Sequence, residues 1–209
     1  MEEADKKTRG IAKVISNLFH PYVVMALVIA MVAYKASPSF SVWIKWTMVA
    51  LLPAYLFPLS YMQAKVVIVS RTTRSQVTFR SFFREEPNEM LLLACLFGIP
   101  SALILYSLGS PPDIIATVVG VGATSLLIAL VNYIYRASFH LALLTSLATP
   151  LVVISGISPL VIAPFIILLG AARCYLGEHT PLQLLAGFLI GLVVTAGIFR
   201  GFGFLPLSR

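Results

Sequence analysis

Charged side chains are scarce in this sequence. Asp, Glu, Lys and Arg make up 11% of its 209 residues, against about a quarter in soluble domains. Hydrophobic residues make up 59%, and the mean hydropathy is +0.94. So little charge excludes an ordinary water-soluble domain and implies an integral membrane protein. Acidic residues are the scarcer sign, 8 against 15 Lys and Arg, which leaves a net charge of +7. On a membrane protein such an excess reflects loops facing anionic lipid or a phosphate site, and no nucleic-acid partner is expected. Cysteine is limited to Cys95 and Cys174, too few for a disulfide framework or a metal motif. HExxH is missing too, so a metalloenzyme would lack its ligands. No internal repeat is present, and no inverted pair of interrupted spans marks a transporter's midplane site.

Long apolar runs are what the chain has in abundance. About 20 apolar residues cross the hydrocarbon core of a bilayer, and apolar windows place spans at 20–36, 42–64, 89–108, 113–135, 140–156, 159–174 and 181–204. The two shortest flank "SGISP", where Gly156 and Pro159 mark a tight turn. The expected fold class is all-α: one polytopic transmembrane helical bundle of six to seven spans over residues 20–209. Residues 1–19 are too polar for a cleaved signal peptide. Ile11, Val14, Ile15 and Leu18 recur there at helical spacing, as in an amphipathic helix lying on the membrane surface.

With seven spans, the amino terminus and segments 65–88, 136–139 and 173–180 share one face of the membrane. Lys65, Arg71, Arg74, Arg80, Arg84, Arg136, His140, Arg173 and His179 then gather at that face. Ordinary positive-inside bias accounts equally well for the arginines of 71–84. Arg136, His140, Arg173 and His179 lie against the ends of apolar spans, where an ionisable group is costly unless it faces a cavity or a partner. Helix amino termini offer unpaired N–H groups and arginine offers a planar fork, so this quartet fits an anion site. His20, beside Pro21, reads as a helix cap or interfacial residue.

The motifs in these segments resemble the type 2 phosphatidic acid phosphatase (PAP2) superfamily. Arg173, five residues and His179 are similar to its third motif, Ser-Arg-x5-His-x3-Asp, with Ala172 at the serine position and Gln183 at the aspartate position. "ASFH" (137–140) stands where Pro-Ser-Gly-His is usual, keeping Ser138 and His140. "YRASFHLA" and "HTPLQLLAGFLIG" look like a divergent branch in which basic-x-Ser-x-His replaces the usual form. The first motif, Lys-x6-Arg-Pro, has only a worn counterpart. Arg80 and Arg84 in "FRSFFREEPNEM" lie in the right stretch, while Lys65 and Arg71 are one residue short and no proline follows.

The resemblance implies a metal-independent lipid phosphatase without cofactor. His179 is the implied nucleophile, forming a phosphohistidine, and His140 the implied general acid and base. Arg173, Arg136, Ser138, Arg80 and Arg84 are the implied phosphate-binding residues. Gln183, one turn after His179, can orient its imidazole but cannot offset its charge. Glu178 is expected either as a solvated loop residue or as a partial source of that charge. A weak or inactive relative that binds or transports lipid phosphate stays open as the alternative. Polyprenyl diphosphates, phosphatidate-like lipids and phosphatidylglycerophosphate-like lipids all qualify as substrates.

Lys6, Lys7, Arg9 and Lys13 lie outside every motif, and positive-inside bias on them places the amino terminus and the catalytic loops in the cytoplasm. Members of the similar family also work on the outer or lumenal face. Single cysteines at positions 5 and 208, in a background lacking Cys95 and Cys174, are expected to label from opposite sides, position 5 from the cytoplasm. Labelling from one side defeats the odd span count, and an external position 5 inverts the orientation.

Overall fold

The computed structural model describes residues 2–73 and 87–205. Among the described residues all regular structure is helical: α1 (Glu2–Leu18), α2 (Pro21–Lys35), α3 (Phe40–Thr73), α4 (Pro87–Ser107), α5 (Pro112–Val131), α6 (Phe139–Val153), α7 (Pro159–Tyr175) and α8 (Pro181–Gly201). Proline opens α2, α5, α7 and α8. The first turn of a helix has no use for the N–H that proline lacks, and proline's fixed φ already suits the helix. Helices α2 to α8 follow the apolar windows, with two differences. α3 runs on to Thr73, well past residue 64, because neither glycine nor proline interrupts 59–73. Its 34 residues reach about 51 Å at about 1.5 Å each, longer than a hydrocarbon core of about 30 Å. α5 stops at Val131, short of residue 135, and the chain turns through Asn132.

Among the described residues two helices, α5 and α8, are by themselves long and apolar enough to cross a membrane; α1 and α2, bent by 42° at the break between them, add a third if taken as one span. Leu27, Leu160, Ile167, Leu182 and Val193 are exposed on the outer surface of the bundle, a disposition that suits a lipid surround better than water. α5 is the hub, packed against α2, α4, α6 and α8. The main core joins Met25, Ile29 and Val32 of α2 to Trp46 and Ala50 of α3, Phe97 of α4, Val118 of α5 and Leu147 of α6. Buried hydroxyls tie α5, α6 and α8 together: Thr195 Oγ1 donates to Ser146 Oγ at 2.7 Å, and Thr124 Oγ1 lies 3.3 Å from both. Such interhelical bonds contribute about 0.6 kcal/mol each in membrane proteins.

α1 lies alongside α7. It buries Ala12 and Ser16, whereas Ile11, Val14 and Leu18 are exposed. Three residues of the apolar stripe read from the sequence therefore face away from the bundle, while Ile15 is half-buried. The Tyr175 hydroxyl donates to Asp5 Oδ1 at 2.7 Å and pins the other end of α1.

The contact that positions the site is α8 on α6. A Cβ added at Gly187 would stand 2.4 Å from the Ser138 carbonyl oxygen, and one at Gly191 would stand 2.2 Å from that of Ala142. Both neighbours are backbone and cannot rotate aside, so the helices meet at a small-xxx-small face. Gly191→Ala is expected to cost about 2 kcal/mol or more through overpacking. Gly197→Ala, where nothing lies within 4 Å, serves as the neutral control. Thermal unfolding in detergent measures the difference; equal stability of the two variants contradicts this packing.

Candidate functional site

α7 ends in a glycine-terminated turn. Leu176 caps the helix and Gly177 follows in the left-handed region at φ 69°. The Gly177 N–H donates to the Cys174 carbonyl at 2.9 Å, and the Glu178 N–H donates to that of Arg173 at 3.1 Å. This paired bonding sets the residue after the glycine beside the residue five positions before it, a juxtaposition that usually holds an apolar contact. α8 ends in the same turn in its ordinary form, with Phe199 and Phe204 packing at a ring separation of 5.5 Å. In α7 an ion pair replaces the apolar one: Arg173 Nη2 lies 3.0 Å from Glu178 Oε2. Arg173 is only 8% exposed, and Nη1 also donates to Ser16 Oγ of α1 at 3.2 Å. A guanidinium so buried is tolerated because it is paired and hydrogen-bonded.

Three helix amino termini converge beside this guanidinium, each with a histidine. His20 is the cap residue of α2, His140 lies in the first turn of α6, and His179 immediately precedes Thr180, the cap of α8. The His20 and His140 rings meet edge to face at 5.7 Å, and His20 also stacks on Tyr22 at 5.6 Å. The Ser138 N–H donates to the Gln183 carbonyl at 3.0 Å, which fastens the start of α6 to the first turn of α8. Ser138 is fully buried, and its hydroxyl accepts from the Leu141 N–H at 3.5 Å. Gln183 completes a reciprocal cap with Thr180. Its Oε1 accepts from the Thr180 N–H at 3.0 Å, and its own N–H donates to Thr180 Oγ1 at 3.4 Å.

The electrostatics follow from this crowding of positive ends. Burial first and the Arg173 charge second push the His20 imidazole below its ordinary value of 6.5. His179 is likewise held below 6.5, by burial first and then by Arg173; Gln183 and Glu178 pull it back up, and Arg136 lowers it further. His179 Nδ1 is buried with no hydrogen-bond partner among the described residues. Both rings are thus kept neutral at pH 7, each able to accept a proton or attack an electrophile. Among the described residues no group of His, Cys, Asp or Glu is arranged to hold a metal ion. Guanidinium, helix N–H groups and neutral imidazoles form a donor set suited to an oxyanion.

Arg173, His179, Gln183, Ser138 and His140 come together, and Arg136, itself exposed, lies within electrostatic reach of His179. Arg80 and Arg84 lie outside the described residues. Glu178 is not a solvated loop residue but the partner of Arg173, with 23% of its side chain exposed. His20 holds the cap position, yet its side chain makes no capping bond; its ring turns instead to His140. A third histidine on the same membrane face was its only signal in the sequence. Ser16 gave none, since its role depends on how α1 docks. Comparison with protein-family models, curated proteins and solved structures found no match to this chain.

The lowered histidines make stability depend on pH. With folded values below 6.5, the unfolded chain binds more protons than the folded one just under that pH, so stability rises with pH there. Thermal unfolding in detergent is therefore expected to shift to lower temperature as pH falls through 6.5. His179→Asn should flatten part of the slope. Stability that is constant or increasing as pH falls contradicts the assignment.

Proposed function

We propose that this chain is a polytopic membrane protein of six or seven spans that hydrolyses a phosphate monoester or diphosphate of a membrane lipid. The reading draws on the resemblance to type 2 phosphatidic acid phosphatases. The observation that carries it is the 3.0 Å bond from the Ser138 N–H to the Gln183 carbonyl. That bond joins the segments of His140 and His179, far apart in sequence, at the same end of the bundle as the Arg173 guanidinium. An interfacial site of this kind keeps a phosphate at headgroup level while its tail stays in lipid.

In the proposed reaction a phosphoryl group binds between Arg173, Arg136 and the converging helix N–H groups, with Arg80 and Arg84 as further ligands. Positioning and neutralisation of its oxygens are the main catalytic needs. Neutral His179 attacks phosphorus in line, the P–O bond to the lipid breaks, and His140 gives its proton to the leaving oxygen. His140 then takes a proton from water as that water attacks the phosphohistidine, releasing inorganic phosphate and restoring both imidazoles. The lowered value of His179 suits a nucleophile, which must be unprotonated. In the orientation read from the basic amino terminus, the site faces the cytoplasm at the cell membrane.

One observation favours the second reading, a relative that binds lipid phosphate and turns it over weakly. The Gln183 amide oxygen already accepts from the Thr180 N–H, and although Gln183 favours protonated His179, a neutral amide brings no negative charge to offset it.

Phosphate release by purified protein in detergent, from a polyprenyl diphosphate, a phosphatidate and a phosphatidylglycerophosphate, with and without chelator, tests the proposal. At least one substrate is expected to turn over, unaffected by chelator, and His179→Ala should reduce release to background. His140→Ala should lose about 10²- to 10⁴-fold on the lipid but much less on an aryl phosphate, whose leaving oxygen needs no proton. Residual turnover by folded His179→Ala would rule out the phosphohistidine route.

A further inference from the structure

We infer that Glu178 is an internal anion that occupies the Arg173 guanidinium in place of substrate phosphate, so that it sets how strongly an anion must bind to enter the site. The inference deepens the reading above and rests on it only in requiring that the site receives phosphate. The first support is the turn at the end of α7. In the matching turn of α8 the two positions are Phe199 and Phe204, an apolar contact that stabilises the turn without any charge. The turn ending α4 joins Leu105 to Ser110 by the same backbone bonding. Only in α7, of these three turns, do the paired positions carry opposite charges, Arg173 and Glu178 at 3.0 Å. The backbone therefore needs no ion pair there, and a buried pair is weak support for stability compared with an apolar one.

The second support is the chemistry of the fork. A guanidinium presents its donors in a plane that fits carboxylate and phosphate alike, so the two compete for the same edge. Ser16 is a neutral acceptor on Nη1, whereas Glu178 brings a negative charge to Nη2. Arriving phosphate displaces the carboxylate, since like charges cannot share the fork cheaply. The displaced Glu178 remains next in sequence to His179, whose protonated form it already favours. It then supplies a negative charge beside the imidazole where Gln183 has none.

Titration of the full-length protein in detergent with inorganic phosphate, followed by calorimetry, tests the inference. Glu178→Gln is expected to bind phosphate about tenfold more tightly or better, because a like charge has been removed from the fork. Arg173→Gln should abolish binding in either background. For the lipid substrate, KM should fall in Glu178→Gln while kcat does not rise. Should Glu178→Gln fail to fold, Glu178→Asp keeps the charge but withdraws the carboxylate by a methylene, and several-fold tighter binding is expected. Unchanged or weaker phosphate affinity in the folded variant overturns the inference. Tighter phosphate binding by Glu178→Gln with no turnover of any lipid would sustain the inference and defeat the phosphatase reading; turnover by the unaltered protein with no gain in affinity would do the reverse.

Discussion

The architecture of the site depends on how closely α8 can lie on α6. Gly187 and Gly191 bring the backbone of one helix onto the carbonyl oxygens of the other, with no room for even a methyl group. At that distance the Ser138 N–H reaches the Gln183 carbonyl. Any side chain at either glycine would push the start of α8 away from that of α6, and His179 away from His140 with it. The hydroxyls of Thr124, Ser146 and Thr195, further along the same helices, hold the remainder of the contact in register.

Close packing here carries an electrostatic cost. The amino ends of α2, α6 and α8 bring their positive dipole ends together, and Arg173 adds a full charge. The protein answers in two ways. Two of its histidines, His20 and His179, are held below 6.5, and the Glu178 carboxylate is placed on the guanidinium. A region arranged like this is poised to exchange its internal anion for an external one. It also gives α1 a part in the site, because Ser16 touches the same guanidinium while Ile11, Val14 and Leu18 face outward.

Much of the helical frame was legible in the sequence. Apolar runs and helix-opening prolines, Pro21, Pro112, Pro159 and Pro181, mark the elements because both act locally. The run beyond residue 64 misled, since 65–73 is polar enough to read as a loop yet contains nothing that ends a helix. Arg173, His179, Ser138 and His140 stood out because ionisable or motif residues are rare at the ends of greasy segments. Glu178 and His20 did not: one resembled a surface charge and the other a cap.

Composition and periodicity by themselves determined that the chain is helical and apolar, where most helices begin, and which few residues could carry chemistry, since these properties depend on neighbours within a turn or two. Tertiary structure alone decided the partners. Glu178 meets Arg173 because Gly177 turns the chain back, Ser16 meets Arg173 because α1 docks on α7, and His20 meets His140 because α2 packs on α6. Each of these contacts arises from the three-dimensional approach of backbones, a quantity set by the whole packing of small residues and absent from any local pattern.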